Sequence, residues 1–453
     1  MSSMALPRCV LRLALVVLLL GPAPAPAADG DAPRFTLDAV LRARFEHLDG
    51  PFQRGAAGSD HVLATWVGLR AEARRGDAAA VLEFLDARAT YHRPDTPLGT
   101  AIVNTLEPIQ AHLRWEDDDD RVRLGRMTID LGSRRLVARN VFRNTTETFD
   151  GVDWIHRTGA GHWRTFVVAP VRRLPDELSR IQDNEFELDR SDPETLLVGH
   201  ERRLAPAPDL ALELYALLLR ERDGGGWPTA DRRLATPGFR VRWRPEDRPV
   251  DFELEAAGQF GRSRATPLPA DDRDLEHRAG FVHLEAGWRP PLPAAPGLAL
   301  ELDWASGDDD PDDDEQNRFD DLYSAVVGDL GPTGIFGAVR RANLRAATLR
   351  LEWRPRPTVQ LRSALRAVRL DDPRDAWVGS GLRDPSGRLG RDVGTHLDLR
   401  LRWRPPAGGA LRALQVDLAT SVLFKGDFAR RAEGARDGDD DAVLTYLEVT
   451  LDL

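Results

Sequence analysis

Hydrophobic and polar residues in this chain alternate with a period of two, which is typical of β-strands and not of amphipathic helices. The first run places Phe35, Leu37 and Leu41 on one face and Arg42 and Arg44 on the other. Further runs of the same kind lie near residues 63–72, 239–244, 250–256 and 397–403. The runs are about ten residues long, which is the length that a tilted strand needs to cross a bilayer. The pattern therefore predicts strands with one face toward lipid and a charged face toward an interior.

The connections between these runs alternate between short and long. Long connections lie near residues 49–60, 91–103, 132–148, 170–194, 222–232, 261–277, 306–340, 371–393 and 425–441. Only a closed barrel pairs every backbone hydrogen-bonding group of strands that lie in lipid. We therefore predict an all-β fold, a transmembrane outer-membrane β-barrel. It would have about 18 antiparallel strands, short periplasmic turns and long extracellular loops.

A repeated tripeptide, Trp-Arg-Pro, supports this orientation. It begins at Trp243, Trp288, Trp353 and Trp403, and each copy ends an apolar run and opens a short turn. Tryptophan is enriched at the boundary between lipid and water, and proline ends the hydrogen-bonding ladder where a turn must begin. Tryptophan is also a good strand residue wherever it occurs, but recurrence at the same point favours a girdle at the periplasmic boundary.

Composition and the N-terminal residues indicate how the chain divides into a signal and a mature domain. The 453 residues have a mean hydropathy of -0.39, so the chain does not resemble a helical membrane protein. Residues 1–28 have the features of a secretion signal: basic residues, the apolar segment Leu11–Leu20 and the small-residue cleavage site Ala25–Ala27. Residues 29–453 are then expected to form a single barrel domain. The one cysteine, Cys9, lies in the signal, so the predicted mature chain has neither a disulfide nor thiolate chemistry.

The candidate chemistry is sparse. His112, His283 and His396 fall on charged strand faces without the spacing of a zinc motif, and we interpret them as lumen histidines in hydrogen-bond networks. No serine lies in a nucleophile elbow, and no glycine-rich phosphate loop links a strand to a helix. We therefore predict no enzymatic activity and no cofactor. The net charge of -11 disfavours a nucleic-acid partner.

An acidic run, Asp308–Glu315, lies in the longest connection. Carboxylate oxygens suit calcium, so Asp308, Asp310 and Asp312 are candidate ligands. The run lacks the turn glycine and the ligand spacing of an EF-hand. The alternative is a solvated loop that meets divalent ions and lipopolysaccharide at the cell surface.

The predicted lumen face carries the strongest functional signal, because its arginines outnumber its acids although the whole protein is acidic. The candidate solute-binding residues on this face are Arg42, Arg44, Arg70, Arg240, Arg242, Arg350, Arg362, Arg366, Arg400 and Arg402. A positive pore lining selects anions, and guanidinium groups match carboxylates with two hydrogen bonds. The alternative is that the charges of a wet wall pair with one another.

The stretch Gly125–Val152 is a strand, a long arginine-rich connection and a strand. The residues of this stretch that form a recognisable motif are Gly125-Arg126, Gly132, Arg135-Leu136-Val137, Phe142-Arg143-Asn144-Thr145 and Phe149-Asp150-Gly151-Val152. A second set is Ser306-Gly307-Asp308, Asn317-Arg318-Phe319-Asp320, Leu322-Tyr323, Gly337 and Ala342-Asn343-Leu344. Together they resemble the motifs of the alginate export family of outer-membrane barrels. The resemblance implies an 18-stranded monomeric barrel with an arginine-rich constriction that passes an anionic polysaccharide outward. By motif position it also implies the pore-region residues Arg126, Arg135, Arg139 and Arg143.

The sequence thus predicts a passive channel in the bacterial outer membrane. Its solutes would be anionic, with export of a polysaccharide such as alginate as one case. The expected partners are membrane lipid, lipopolysaccharide and the solute, and the channel is expected to be a monomer. The nearest alternative is a general porin or nutrient-uptake channel for small hydrophilic solutes. A barrel enzyme or a structural surface barrel with a plugged lumen are further alternatives.

Overall fold

A computed structural model describes residues 33–453 except 57, 95, 97, 223–226, 269, 326–328, 410 and 436–439. The predicted secretion signal, residues 1–28, lies outside the described residues. In the described part of the chain, no helix has the length and apolar character needed to cross a membrane. The regular secondary structure of the described residues is almost entirely β-strand.

The strands follow one another along the chain with two short helices between them. They are β1 (Arg34–Asp49), β2 (Ser59–Arg75), β3 (Ala78–Thr90), β4 (Asn104–Glu116), β5 (Asp120–Met127), β6 (Phe149–Thr158), β7 (Gly161–Arg172), β8 (Arg190–Ser191), β9 (Leu196–Ala207), β10 (Leu210–Arg220), β11 (Arg233–Trp243), β12 (Val250–Ser263), β13 (Leu275–Trp288), β14 (Gly297–Ala305), β15 (Glu315–Gln316), β16 (Leu344–Arg356), β17 (Val359–Arg369), β18 (Asp392–Trp403), β19 (Ala413–Lys425) and β20 (Ala442–Asp452). The helices are α1 (Leu178–Gln182) and α2 (Asp427–Arg431).

The long strands close into a barrel. Each pairs antiparallel with the next long strand along the chain, and β20 pairs with β1 from Val40↔Asp452 to Asp49↔Val443. The two-residue strands β8 and β15 lie outside this circuit, so 18 of the 20 strands form the wall. The predicted all-β, 18-stranded antiparallel barrel is confirmed, and so is the alternation of short turns with long loops.

The two faces of the wall differ as the alternation predicts. Large apolar side chains remain exposed on the outer face: Leu113, Leu124, Leu214, Leu300, Leu349, Leu365, Leu418 and Leu447. Buried charged side chains such as Arg44, Glu46 and Arg366 occupy the inner face. Apolar surface is stable on the outside only if lipid covers it, so the outer face is the lipid-facing surface.

The hydrophobic core lies inside the barrel, between the wall and the loops that fold into it. Wall residues such as Leu48 and Phe281 pack in the same cluster as Phe52, Phe336 and Trp377 from the long loops. The rings of Phe52 and Trp377 stack with centroids 4.6 Å apart. This core fixes the loops relative to the strands, and the loops therefore shape the lumen.

The Trp-Arg-Pro copies lie where the sequence predicts. β11, β13 and β18 end at Trp243, Trp288 and Trp403, whereas β16 continues three residues beyond Trp353 to Arg356. The Trp243 indole Nε1 donates to Asp209 at 2.8 Å, and the Trp353 Nε1 donates to the carbonyl of Ala294 at 2.6 Å. Each indole is thereby tied to a neighbouring short turn.

Candidate functional site

The connection between β5 and β6, residues 128–148, folds into the barrel and is called the first inward loop. Its apolar residues Ile129, Leu131 and Leu136 are buried in the internal core. The side chain of Asn144 fixes its far end, since Nδ2 donates to the carbonyls of Thr65 at 2.8 Å and Ile102 at 2.9 Å. The loop is therefore a packed part of the lumen and not a solvated surface segment.

Arginines of the barrel wall hold this loop by its main chain. Arg42 donates to the carbonyl of Val141 at 2.6 Å, and Arg44 donates to that of Phe142 at 2.6 Å. On other strands, the Arg123 side chain donates to the carbonyl of Thr128, and Arg164 donates to that of Asp130. These arginines lie on β1, β5 and β7, so their guanidinium groups hold the loop in the barrel from several strands of the wall.

The connection between β14 and β16, residues 306–343, also folds inward and is called the second inward loop. The backbone N–H of Ile335 donates to the wall carboxylate of Glu46 at 3.1 Å. Arg366 of the wall donates to the carbonyl of Asp329 at 2.6 Å. Two separate strands of the wall, β1 and β17, thus anchor this loop as well.

The two inward loops meet inside the barrel. Val137 and Tyr323 form a parallel β-bridge. The Tyr323 N–H donates to the carbonyl of Leu136 at 2.9 Å, and the Ala138 N–H donates to the carbonyl of Tyr323 at 3.0 Å. The lumen is therefore constricted by two paired segments and not by one loop alone.

Arg135, predicted as a pore residue, is the centre of a buried ion-pair knot. Its guanidinium lies 2.7 Å from Glu253, 2.7 Å from Glu255 and 2.8 Å from Asp329. Burial opposes the charged form of Arg135, but the three carboxylates outweigh burial and raise its pKa well above the usual value. Arg135 ties both inward loops to β12 and is structural as well as cationic.

Most other predicted arginines also face carboxylates. Arg126 lies 2.5 Å from Glu107 and 3.0 Å from Asp150, near the connection that follows β7. The remaining pairs join wall or loop arginines to lumen carboxylates: Arg42 with Glu448, Arg44 with Glu46 and Glu448, Arg70 with Glu72, Arg139 with Glu83, Arg240 with Glu213 and Glu253, Arg350 with Glu285 and Glu301, Arg362 with Glu352, Arg366 with Asp398 and Arg402 with Asp417. Much of the positive lumen charge is therefore compensated locally.

Five of the predicted arginines nevertheless converge on one cavity. This cavity, called the lower cavity, has a volume of about 370 Å³ and lies between the first inward loop and the short-turn end of the wall. Its arginines are Arg42, Arg139, Arg143, Arg400 and Arg402. Glu448 is the one carboxylate among the lining residues, and it already accepts from Arg44 at 3.0 Å. The lining therefore has a net positive charge.

A second cavity, called the upper cavity, lies between the inward loops and the long-loop end of the barrel. It has a volume of about 400 Å³, and its charged lining residues are Arg143 and Arg340. Arg143 lines both cavities, so it is the residue that connects them.

Arg143 and Arg340 have little local compensation. Among the described residues, neither side chain makes an ion pair or a hydrogen bond, and the nearby Glu147 is held by Arg173 at 2.7 Å. Burial and the charge of Arg340 lower the pKa of Arg143, while Glu147 opposes the shift. Arginine stays protonated in proteins, so this environment leaves an available cation at the constriction.

Sequence reasoning missed Arg340 and many of the lumen acids. Arg340 precedes the Ala342-Asn343-Leu344 motif, in a loop whose charged residues are otherwise mainly acidic. A basic residue in such a loop is a signal that the sequence offers for a functional position. Glu83, Glu213 and Glu301 fall on the inner face by the same alternation that identified the arginines. The excess of basic residues on the lumen face is therefore smaller than the sequence predicts. It is concentrated around the two cavities.

The three candidate calcium ligands of the acidic run, Asp308, Asp310 and Asp312, are not grouped at one point in the described residues. Asp308 is buried, and its backbone N–H donates to Asp375, whose carboxylate also binds Arg318. Within the described residues, the one group of three His, Asp or Glu ligand atoms that lie close together is found elsewhere in the barrel. The structure therefore does not bring Asp308, Asp310 and Asp312 together.

Comparison with known proteins gives a family and a fold. A family model described as alginate export matches residues 34–441, which is most of the chain. A search by sequence found no match among curated proteins.

Three solved structures illustrate the same barrel fold. OccD3 (OpdP) of Pseudomonas aeruginosa aligns with a TM-score of 0.58 and 11% identity, covering 95% of each chain. The outer membrane protein OpdK of P. aeruginosa aligns with a TM-score of 0.59 and 13% identity, and the alignment covers 93% of this chain and 98% of OpdK. A BenF-like porin of Pseudomonas fluorescens Pf-5 aligns with a TM-score of 0.58 and 11% identity, and the alignment covers 92% of this chain and 98% of the porin. At such identities the likeness establishes the barrel fold alone.

Proposed function

The chain belongs to the alginate export family of outer-membrane β-barrels, and we propose that it is a passive channel for anionic solutes. The observation that carries the proposal is the lower cavity, which is lined by five arginines and one carboxylate. Arg139 and Arg402 are paired with Glu83 and Asp417, whereas Arg143 and Arg400 make no ion pair among the described residues and supply most of the available positive charge. Arg143 extends this positive lining through the constriction to Arg340 in the upper cavity. A positive lining of this kind attracts anions and repels cations.

The arrangement supports binding followed by release. Guanidinium groups form paired hydrogen bonds with carboxylates and replace part of the water lost when an anion enters a narrow site. Glu448 in the lower cavity and Glu147 beside Arg143 weaken this attraction and allow the solute to leave. Passage needs neither a chemical step nor a cofactor, so we assign no enzymatic activity.

An anionic polysaccharide, such as a polyuronate, is the solute class that we propose first. Its regularly spaced carboxylates would meet Arg340, Arg143 and the lower-cavity arginines in succession. The sheet closes within one chain, so a single copy contains a complete barrel, and the form that we propose is a monomer. Its lipid-facing surface lies in the outer membrane, and its long loops would face lipopolysaccharide.

The decisive experiment is the reversal potential of the purified channel in a planar bilayer under a potassium chloride gradient. We expect a clear preference for chloride over potassium. Addition of uronate oligomers should then block the chloride current in a concentration-dependent manner. A preference for potassium, or a current unaffected by the oligomers, would contradict the proposal.

A second candidate is a channel for small hydrophilic solutes. The pairing of Val137 with Tyr323 favours it, because two packed loops separate the upper and lower cavities where a polymer would need a continuous passage. Block by uronate oligomers of increasing length distinguishes the two candidates. Stronger block with length supports the polymer, whereas block by the monomer alone supports small solutes.

A further inference from the structure

Three buried side chains converge at a place that the anion pathway does not use. His283 lies on β13, Asp303 on β14, and Asp329 on the second inward loop. All three are at least nine-tenths buried, and one ligand atom from each lies within 4.8 Å of the other two. Two residues of the wall and one of the loop thus share a small enclosed site.

Each of these residues keeps a buried polar atom without a partner. Within the described residues, His283 Nε2, Asp303 Oδ2 and Asp329 Oδ1 have no hydrogen bond. The atoms on the other side of each group are engaged, since His283 Nδ1 lies 2.8 Å from Asp303 Oδ1. Asp329 Oδ2 accepts from Arg135 at 2.8 Å and from Arg341 at 2.6 Å. Buried polar atoms are nearly always paired, so each of these three residues has an unused buried ligand atom that calls for a partner.

The charges around the site favour a cation. Within the described residues, the Asp303 carboxylate pairs with His283 and has no arginine partner. Asp329 shares the Arg135 guanidinium with Glu253 and Glu255, so this positive charge is divided among three carboxylates. Buried carboxylates are unfavourable unless they are fully paired or coordinate a metal ion.

We propose that His283, Asp303 and Asp329 bind one divalent cation of the zinc class, which fastens the second inward loop to the barrel wall. An imidazole nitrogen suits zinc and related transition metals, whereas calcium and magnesium prefer oxygen ligands alone. Zinc accepts histidine nitrogen and aspartate oxygen together and separates its ligands by roughly 3.4 Å, so small side-chain rotations complete the site. The site is independent of which solute the channel carries.

The consequence concerns the mobility of the second inward loop. The Asp329 carboxylate also accepts a hydrogen bond from Arg135 of the first inward loop. The Asp329 carbonyl accepts a hydrogen bond from Arg366 of the wall. A cation at Asp329 therefore stiffens the point at which both loops and the wall meet. The cation would act as a structural clamp on the constriction.

The test is metal binding by the full chain, purified in detergent and stripped with EDTA. We expect the wild-type channel to bind about one zinc ion per chain, measured by elemental analysis and by competition with a chromophoric chelator. His283→Asn and Asp329→Asn should each weaken zinc binding by at least about 100-fold. Heat-modifiable migration in gels verifies that each variant still forms the barrel.

His277→Asn is the matched control. His277 lies on the same strand and the same face as His283 and is similarly buried, but it faces Gln259 and Ser263 and belongs to no such cluster. Zinc retained by His277→Asn and lost by His283→Asn supports the proposal. Absence of stoichiometric zinc in the wild type would overturn it, and would indicate an ordered water or a protonated imidazole. Equal zinc binding by all variants, or a preference for calcium over zinc, would also overturn it. X-ray absorption on the wild type provides a readout that does not depend on any variant, since only nitrogen and oxygen ligands are expected.

Discussion

Val137 of the first inward loop and Tyr323 of the second form a parallel β-bridge within the barrel, with backbone hydrogen bonds of 2.9 and 3.0 Å on either side. These residues are far apart in the chain and belong to connections between different pairs of strands. The constriction is thus a tertiary contact of two loops, and a change in either loop is transmitted to the other.

The bridge makes a prediction about conductance. Ala138→Pro removes the N–H that donates to Tyr323, which costs about 1 kcal/mol for the lost hydrogen bond. We expect larger and noisier single-channel currents with unchanged barrel assembly. Ala138→Gly retains the N–H and is the control. Equal conductance in the proline and glycine variants would show that the bridge does not limit the pore.

Arg143 and Arg340 should dominate anion selectivity. The double variant Arg143→Gln with Arg340→Gln removes two positive charges that make no ion pair among the described residues. We expect its reversal potential to move toward the nonselective value and block by uronate oligomers to weaken about tenfold or more, since a hydrogen bond to a charged group contributes about 1.5–3 kcal/mol.

The control for this variant removes two positive charges from the outer rim. Arg278 and Arg345 are solvent-exposed residues paired with Glu276 and Asp371. Arg278→Gln with Arg345→Gln should preserve selectivity, because solvent screens exposed charges. A similar loss of selectivity in both double variants would mean that general surface charge, and not the constriction, selects anions.

Arg135 should matter for stability. Arg135→Met leaves Glu253, Glu255 and Asp329 buried without their central cation, and loss of one partner of a buried ion pair costs about 3–5 kcal/mol. We expect a clearly lower temperature for loss of the folded band in heat-modifiability gels. Arg134→Met is the neighbouring control, because Arg134 and its partner Asp130 are exposed and such a pair contributes about 1 kcal/mol or less. Equal effects of the two substitutions would contradict the structural role of the Arg135 knot.

The connection between β7 and β9 should respond to pH through Asp189. Burial raises the pKa of Asp189 to about 6, although hydrogen bonds from the Leu174 N–H and the Asn104 amide oppose the shift. The ordinary value is about 3.9, so the protonated form favours docking of this loop. The stabilisation is complete below about pH 4 and is lost as the pH rises to about 6, which amounts to about 3 kcal/mol of docking free energy.

Hydrogen exchange of residues 173–195 between pH 4 and pH 7, corrected for the intrinsic rate, measures this effect. Protection should fall across that interval in the wild type. Asp189→Asn should abolish the pH dependence, although its level of protection falls because an amide nitrogen replaces one acceptor. Asp183→Asn, which removes another acid of the same loop, should leave the dependence intact. A flat profile in the wild type would exclude Asp189 as the titrating group.

The sequence predicts the wall far better than it predicts the constriction. Alternation is a local property, so runs such as Phe35–Phe45 identify strands, faces and the barrel without any tertiary information. The bridge at Val137 and the knot at Arg135 depend on where two distant loops meet, which no local pattern encodes. Alternation identifies the wall arginines, and it also places Glu83 and Glu213 on the inner face. These acids pair with Arg139 and Arg240, so the lumen is less positive than the arginines alone predict.

The tryptophans near the two ends of the strands have a consequence for the position of the barrel in the membrane. Trp243 and Trp353 donate their indole N–H groups to turns at the short-turn end. Trp304, at the long-loop end of β14, donates its indole N–H to Asp371. Indoles settle at the headgroup level of a bilayer, so they mark both boundaries of the lipid-facing band. A thicker or thinner bilayer then adjusts its local thickness to this fixed height.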